Sequence, residues 1–169
     1  DFISSNSILL SATKGIEISS GLRMTQIIKN EISNVSDQNI CVLSGPNLAK
    51  EIIQGKPCSS VVASSDENTI NTVQDILNSE LFRLYGNTDI IGVEIAGAMK
   101  NITAIASGIS DGLNFGDNAK SSLITRGLAE MTRLGVAMGA KQSTFSGLAG
   151  MGDLIATCSS PQSRNNQLG

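Results

Sequence analysis

The sequence contains no histidine. That excludes Ser-His-Asp and Cys-His catalysis, imidazole metal sites and any oxidoreductase built on a histidine base. An acid/base group in this chain must be a Lys, Asp, Glu, Tyr or Cys. Tryptophan is also absent and aromatics make up 3% of the residues, so the core must rest on Ile, Leu, Val and Ala. The three cysteines, Cys41, Cys58 and Cys158, are widely spaced and include no Cys-x-x-Cys. They read as reduced thiols of a cytosol-type compartment, Cys41 and Cys58 as small core fillers in or near strands. No metal site is expected. A net charge of −3 without a basic run gives no surface for nucleic acid. No uninterrupted apolar run has membrane-spanning length and no basic-then-apolar leader opens the chain, so membrane insertion is not expected. The chain starts at Asp1, not Met, and both ends look cut.

What is present centres on the stretch from Ile90 to Ala106, which Asp89 can cap. It is filled with Ile, Ala, Gly, Val and Met, and a helix that apolar around its circumference is a buried one. Its interior charges are Glu94 and Lys100, whose spacing does not let them face each other. The helical neighbours of Lys100 are Ala96, Gly97, Thr103 and Ala104, none of them acidic. An ammonium left unpaired there costs roughly several kcal/mol. Lys100 therefore finds a partner elsewhere in the chain, meets a ligand in a cleft, or snorkels to solvent. In a cleft, burial would lower its pKa and make it an acid/base candidate.

Around this helix the pattern divides in two. Short apolar runs at 8–10, 40–43, 61–63 and 81–85 predict strands, the last half-exposed as an edge strand is. Helical spacing at 21–33, 48–53 and 67–77 fills the intervals, with a capping signal at 64–67. Strand and helix in alternation predict a doubly wound parallel sheet, an α/β arrangement over 1–88. After Asn87 the strand signals stop. Helices at 90–106 and 119–138, a loop at 110–118, a glycine-dense run at 144–152 and a helix at 153–157 predict an all-α part over 89–169.

Ser44-Gly45-Pro46-Asn47 falls at a strand end and helix start, the position where open α/β sheets bind ligands. Thr13-Lys14-Gly15 occupies the equivalent position after the first strand. Taken singly these read as a capped turn and a solvated lysine. Gly147–Asp153 follows no strand and lacks Gly-x-Gly-x-x-Gly spacing, so it reads as a device that brings Asp153 close to something rather than as a dinucleotide loop. Ser163-Arg164-Asn165 offers a hydroxyl, a guanidinium fork and an amide suited to phosphate oxygens, or a surface helix start. Together they place two lysines, an aspartate, an arginine and two strand-end loops where an α/β part meets a helical one, a common cleft position.

The blocks Ser44-Gly45-Pro46-Asn47-Leu48-Ala49-Lys50-Glu51, Gly92-Val93-Glu94 through Lys100-Asn101, Gly108–Leu113, Gly116–Lys120, Ile124–Met131, Gly147–Asp153 and Ser163-Arg164-Asn165 resemble NAD(P)-dependent glycerol-3-phosphate dehydrogenase of the bacterial or plastid type. The resemblance implies interconversion of dihydroxyacetone phosphate and sn-glycerol 3-phosphate with NAD or NADP, feeding phospholipid synthesis in the cytoplasm or a plastid, by a homodimer. It implies that Lys100 is the acid/base at the C2 oxygen. Lys14 resembles a lysine touching both substrate and cofactor, Gly45 and Asn47 look like substrate contacts, and Ala49 a cofactor contact. Asp153 resembles the aspartate beside the substrate. Ser163, Arg164 and Asn165 look like the phosphate-end group, helped by helix N–H groups, with Arg164 also near the cofactor. The family's glycine loop, the stretch that selects NAD or NADP and the C-terminal helices are missing, so the resemblance implies an internal fragment, inactive by itself: the second part of a doubly wound, Rossmann-like parallel sheet followed by an all-α domain, truncated at both ends. Two alternatives stand beside this: another lysine-dependent dehydrogenase of the β-hydroxyacid or 6-phosphogluconate type, and a non-catalytic phosphate-binding module.

Overall fold

A computed structural model describes residues 3–169. Its four strands, β1 (Leu9–Ser11), β2 (Ile40–Ser44), β3 (Cys58–Ser64) and β4 (Phe82–Asn87), form one sheet in the order β1-β2-β3-β4. Between them lie α1 (Met24–Glu31), α2 (Ala49–Ile53) and α3 (Glu67–Leu77). Helices alone follow β4: α4 (Ile90–Gly112), α5 (Gly116–Ala137), α6 (Gln142–Phe145), α7 (Asp153–Ser159) and α8 (Arg164–Leu168). The strand-and-helix half followed by a helical half matches the sequence expectation. The predicted loop at 110–118 is shorter than expected, because α4 runs on to Gly112 and α5 begins at Gly116.

The sheet corrects one expectation. β1 and β2 are parallel, as are β3 and β4, but β2 and β3 are antiparallel, so the sheet is mixed and not wholly parallel. The cause lies in the connection. A parallel crossover has to carry the chain back along the length of a strand. α2 has five residues and climbs only about 8 Å, so the chain turns at Gly55 and returns beside β2.

Alternation along the strands sends side chains to two faces. Cys41, Val62 and Leu84 pack with Ile70 and Val73 of α3. Val42, Val61 and Ala63 pack with Val93 of α4 and Ala149 on the other face. Covered on both faces, the strands are apolar runs rather than alternating ones. Further along α4 from Val93, Ile95, Ala96 and Ala104 enter a second core with Met131, Phe145, Leu154 and Cys158. α4 thus belongs to both cores and joins them.

Length and composition alone would let α4 cross a bilayer. Its packing is that of a core helix, because both of its interior charges have partners within this chain. Asp89 starts the helix as expected, its Oδ1 accepting from Gly92 N at 2.9 Å. Its Oδ2 accepts from Lys141 N at 2.8 Å and Thr144 Oγ1 at 2.6 Å, which ties the distant α6 to the same end. Asp66 caps α3 in the same way, accepting from Thr69 N at 3.0 Å.

Candidate active site

Lys100 projects from the middle of α4 and is 7% exposed. The missing partner is Asp153, the first residue of α7, whose Oδ1 lies 2.5 Å from Lys100 Nζ. Of the three options left open by the sequence, the amine takes a partner elsewhere in the chain: the compensating charge comes from the helix that follows the glycine-dense run. That run is a single wide turn over Leu148–Gly152, and it delivers Asp153 into the core with 1% of its surface exposed. Thr157, one turn further along α7, accepts from Lys100 Nζ at 2.7 Å and donates to the Asp153 carbonyl at 2.6 Å.

Asp153 is shared. Its Oδ2 lies 2.5 Å from Lys14 Nζ, which also donates to the Gly45 carbonyl at 3.0 Å. Two ammonium groups on one carboxylate leave a net positive charge in a sheltered place, a setting that favours an anion. The stem of Lys14 reaches it by lying across Gly97 of α4, where an added Cβ would stand 2.9 Å from Ser44 Oγ and 3.3 Å from Lys14 Cγ. The loop that carries Lys14 is fastened by Glu94, which is buried. Glu94 accepts from Thr25 N at 2.8 Å and Thr25 Oγ1 at 2.7 Å, and pairs with Arg23.

Burial pushes the Lys100 amine below its ordinary pKa of 10.5; Asp153 pulls it back up, and Lys14 pushes it further down. Burial is the largest of these influences, so the net direction is towards a more easily deprotonated amine.

These amines stand in the wall of a cleft of about 1070 Å³ between the strand ends and the helical half. Lys14, Asn47, Ala49, Lys100, Ser163, Arg164 and Asn165 all line it. Gly45 and Asp153 sit directly behind, each holding a lysine. All nine residues singled out in the sequence thus converge. Ser163 is buried and caps α8, its Oγ accepting from Asn166 N at 3.3 Å, while Arg164 is exposed at the rim. α2 and α8 have five residues each. Helices so short carry little dipole, so the charge that faces an anion here comes chiefly from the side chains of Lys14, Lys100 and Arg164.

Thr157, Asn101 and Gln162 are among the lining residues that were missed. Thr157 could have been found, since it stands at i+4 from Asp153 on one helical face. Asn101 accepts from Asn165 Nδ2 at 2.7 Å and joins α4 to α8; no spacing signal links these two asparagines. A fit for a nicotinamide group rests on the cleft itself. It is large enough for a small ligand beside a ring, and Gln162 Oε1 is buried there without a hydrogen-bond partner among the described residues.

The comparisons agree along the chain. Residues 1–70 match the family model of the N-terminus of NAD-dependent glycerol-3-phosphate dehydrogenase, and residues 89–169 that of its C-terminus. The chain is 55% identical over 167 residues to glycerol-3-phosphate dehydrogenase [NAD(P)+] of Dehalococcoides mccartyi, covering 99% of this chain and 46% of that one. It is 54% identical over 162 residues to the protein of the same description from Thermobifida fusca, covering 96% and 48%. The crystal structure of glycerol-3-phosphate dehydrogenase from Coxiella burnetii superposes with a TM-score of 0.87 at 44% identity, covering 93% of this chain and 47% of that one. The chain therefore spans about half the length of these relatives.

Proposed function

Because the chain belongs to the NAD-dependent glycerol-3-phosphate dehydrogenase family, we propose that the full-length protein interconverts sn-glycerol 3-phosphate and dihydroxyacetone phosphate with NAD or NADP. The observation that carries this reading is the pair of amines, Lys14 and Lys100, on the two oxygens of buried Asp153 in the wall of the cleft. In the proposal residues 1–88 are part of a dinucleotide-binding domain and 89–169 part of a helical substrate domain.

Bound in the cleft, the nicotinamide supplies the acceptor or donor of the hydride at C2. Lys100 manages the proton. In the oxidative direction its neutral amine takes the proton of the C2 hydroxyl; in the reductive direction its ammonium returns one to the developing alkoxide. A pKa lowered towards the working pH serves both directions. Asp153 and Thr157 fix where Lys100 Nζ points, and that orientation is worth rate because the proton must move along a short hydrogen bond. Lys14 adds positive charge beside the same oxygen. Arg164, Asn165 and Ser163 hold the phosphate, and this remote binding orients C2. Ala49 and Arg164 border the cofactor's side of the cleft, and Gly45 and Asn47 the substrate's.

The enzyme would work as a cytoplasmic homodimer, or in a plastid in a plant, supplying glycerophospholipid synthesis. The 169 residues alone would bind dinucleotide poorly and turn over nothing. Substrate screening of the full-length protein tests the reading. Turnover of glycerol 3-phosphate is expected; turnover of 3-hydroxyisobutyrate or 6-phosphogluconate in its place would assign the lysine site to another dehydrogenase class.

A further inference from the structure

Ser60 lies on β3 with no exposed surface, directly under the turn that leaves β2. The turn and the serine are seated together: Gly45 has φ +152°, and an added Cβ would stand 2.7 Å from Ser60 Oγ. The hydroxyl of Ser60 donates to the Ser44 carbonyl at 3.0 Å. A serine hydroxyl has one proton to give. Towards Asn47, whose Nδ2 is 2.9 Å away, the same oxygen can therefore only accept.

This settles which way the Asn47 amide faces. Its NH₂ must point to Ser60, and its carbonyl oxygen must point elsewhere. That oxygen, Oδ1, is buried and has no hydrogen-bond partner among the described residues, while Asn47 lines the cleft. A buried amide oxygen without a donor is unfavourable, and a ligand that supplies the donor removes the deficit. A hydroxyl side chain at this position could accept or donate; an asparagine held by Ser60 can only accept.

Resting on the reaction proposed above, we infer that Ser60 is a positioning residue that fixes Asn47 as an acceptor for the terminal hydroxyl of the substrate, the one on the carbon furthest from the phosphate. In dihydroxyacetone phosphate C2 is a ketone and the phosphate is ionised, so that hydroxyl is the one donor the molecule has. A carboxylate or phosphate at the same end would meet the oxygen with like polarity and be rejected. Asn47 thus reads one end of the substrate, Lys100 its middle and Arg164 its anionic end.

The test uses the full-length enzyme and two alcohols, sn-glycerol 3-phosphate and propane-1,2-diol 1-phosphate, which lacks the terminal hydroxyl. A site built to pair with a hydroxyl discriminates strongly against an analogue without one, so the parent should favour glycerol 3-phosphate by about 100-fold or more in kcat/KM. Ser60→Ala and Asn47→Leu should each lower that ratio by about tenfold or more, chiefly through KM. A loss of folding stability alone would depress both substrates together and leave the ratio unmoved. Should Ser60→Ala not fold, Asn47→Leu decides. An unchanged ratio in the variants, or a parent active on glycerol 3-phosphate with a ratio near one, overturns this inference and leaves the proposed reaction standing. A parent that turns over neither compound overturns both.

Discussion

Lys100 Nζ stands 2.5 Å from Asp153 Oδ1, and 53 residues of chain separate the two. Because Asp153 also holds Lys14, the charges on either side of Lys100 act on it in opposite senses. Removing each should therefore move its titration in opposite directions. In the proposed oxidative reaction the rate should rise with pH as Lys100 loses its proton. Lys14→Met removes a neighbouring positive charge, so this limb of the kcat profile should move to higher pH. Asp153→Asn removes the negative charge, so the limb should move to lower pH. Both variants should be slower than the parent. pH–rate profiles of the full-length enzyme check the signs, and shifts in one direction for both would contradict the assignment.

The same lowered pKa makes stability depend on pH. Unfolded, Lys100 titrates at its ordinary 10.5; folded, it gives up its proton at lower pH. Between those two values the unfolded chain binds more protons, so unfolding becomes less favourable as pH rises. Lys100→Met lacks this contribution. Denaturant titrations from pH 7.5 to 10.5 should show the parent gaining stability relative to Lys100→Met as pH increases. Parallel curves would show that burial does not perturb this amine.

Cysteine reactivity should follow burial. Burial pushes the thiols of Cys41 and Cys158 up to about 11, which leaves both almost wholly protonated at pH 8. Cys58, at the open start of β3, is only partly buried. A thiol reagent on the native protein should modify Cys58 first, and all three only on unfolding. Peptide mass mapping reads the order, and early modification of Cys158 would contradict the packing of α7 on α4.

Asp89 joins the start of α4 to α6 through three hydrogen bonds. Asp89→Ala removes a cap and leaves buried donors without an acceptor, a loss of about 2–4 kcal/mol. Asp89→Asn keeps one acceptor and should lose less. Equilibrium unfolding measures both, and an Ala variant as stable as the parent would show that the cap is replaceable.

Much of the fold was legible because it is local. The strand cores at 40–43 and 61–63 and the cap at Asp89 follow from apolar runs and a side chain placed just ahead of a helix; the start of β3 at Cys58-Ser59-Ser60 carries no such run. The direction of β3 was not legible from apolarity, since strands covered on both faces read alike whichever way they run; the shortness of α2 was the available clue. At the site, Lys100 announced itself by having no partner on its own helix. Its actual partner could not be read off, because nothing in the spacing of Lys100 and Asp153 encodes that α7 folds back onto α4. Glu94 shows the same limit: its partners Thr25 and Arg23 lie 69 and 71 residues earlier. Ser60 fell just outside the predicted strand at 61–63, and its bearing on Asn47 depends on which proton goes to which oxygen.

The central claim is that Lys100 exchanges the proton at C2. Its most direct measurement is the single-turnover rate of glycerol 3-phosphate oxidation by full-length Lys100→Ala, with and without added ethylamine. The account predicts a fall of about 10²–10⁴-fold with the fold intact, and partial recovery with the free amine that grows as pH rises towards the amine's own pKa. A variant within tenfold of the parent, or one that the amine leaves unchanged, would contradict it.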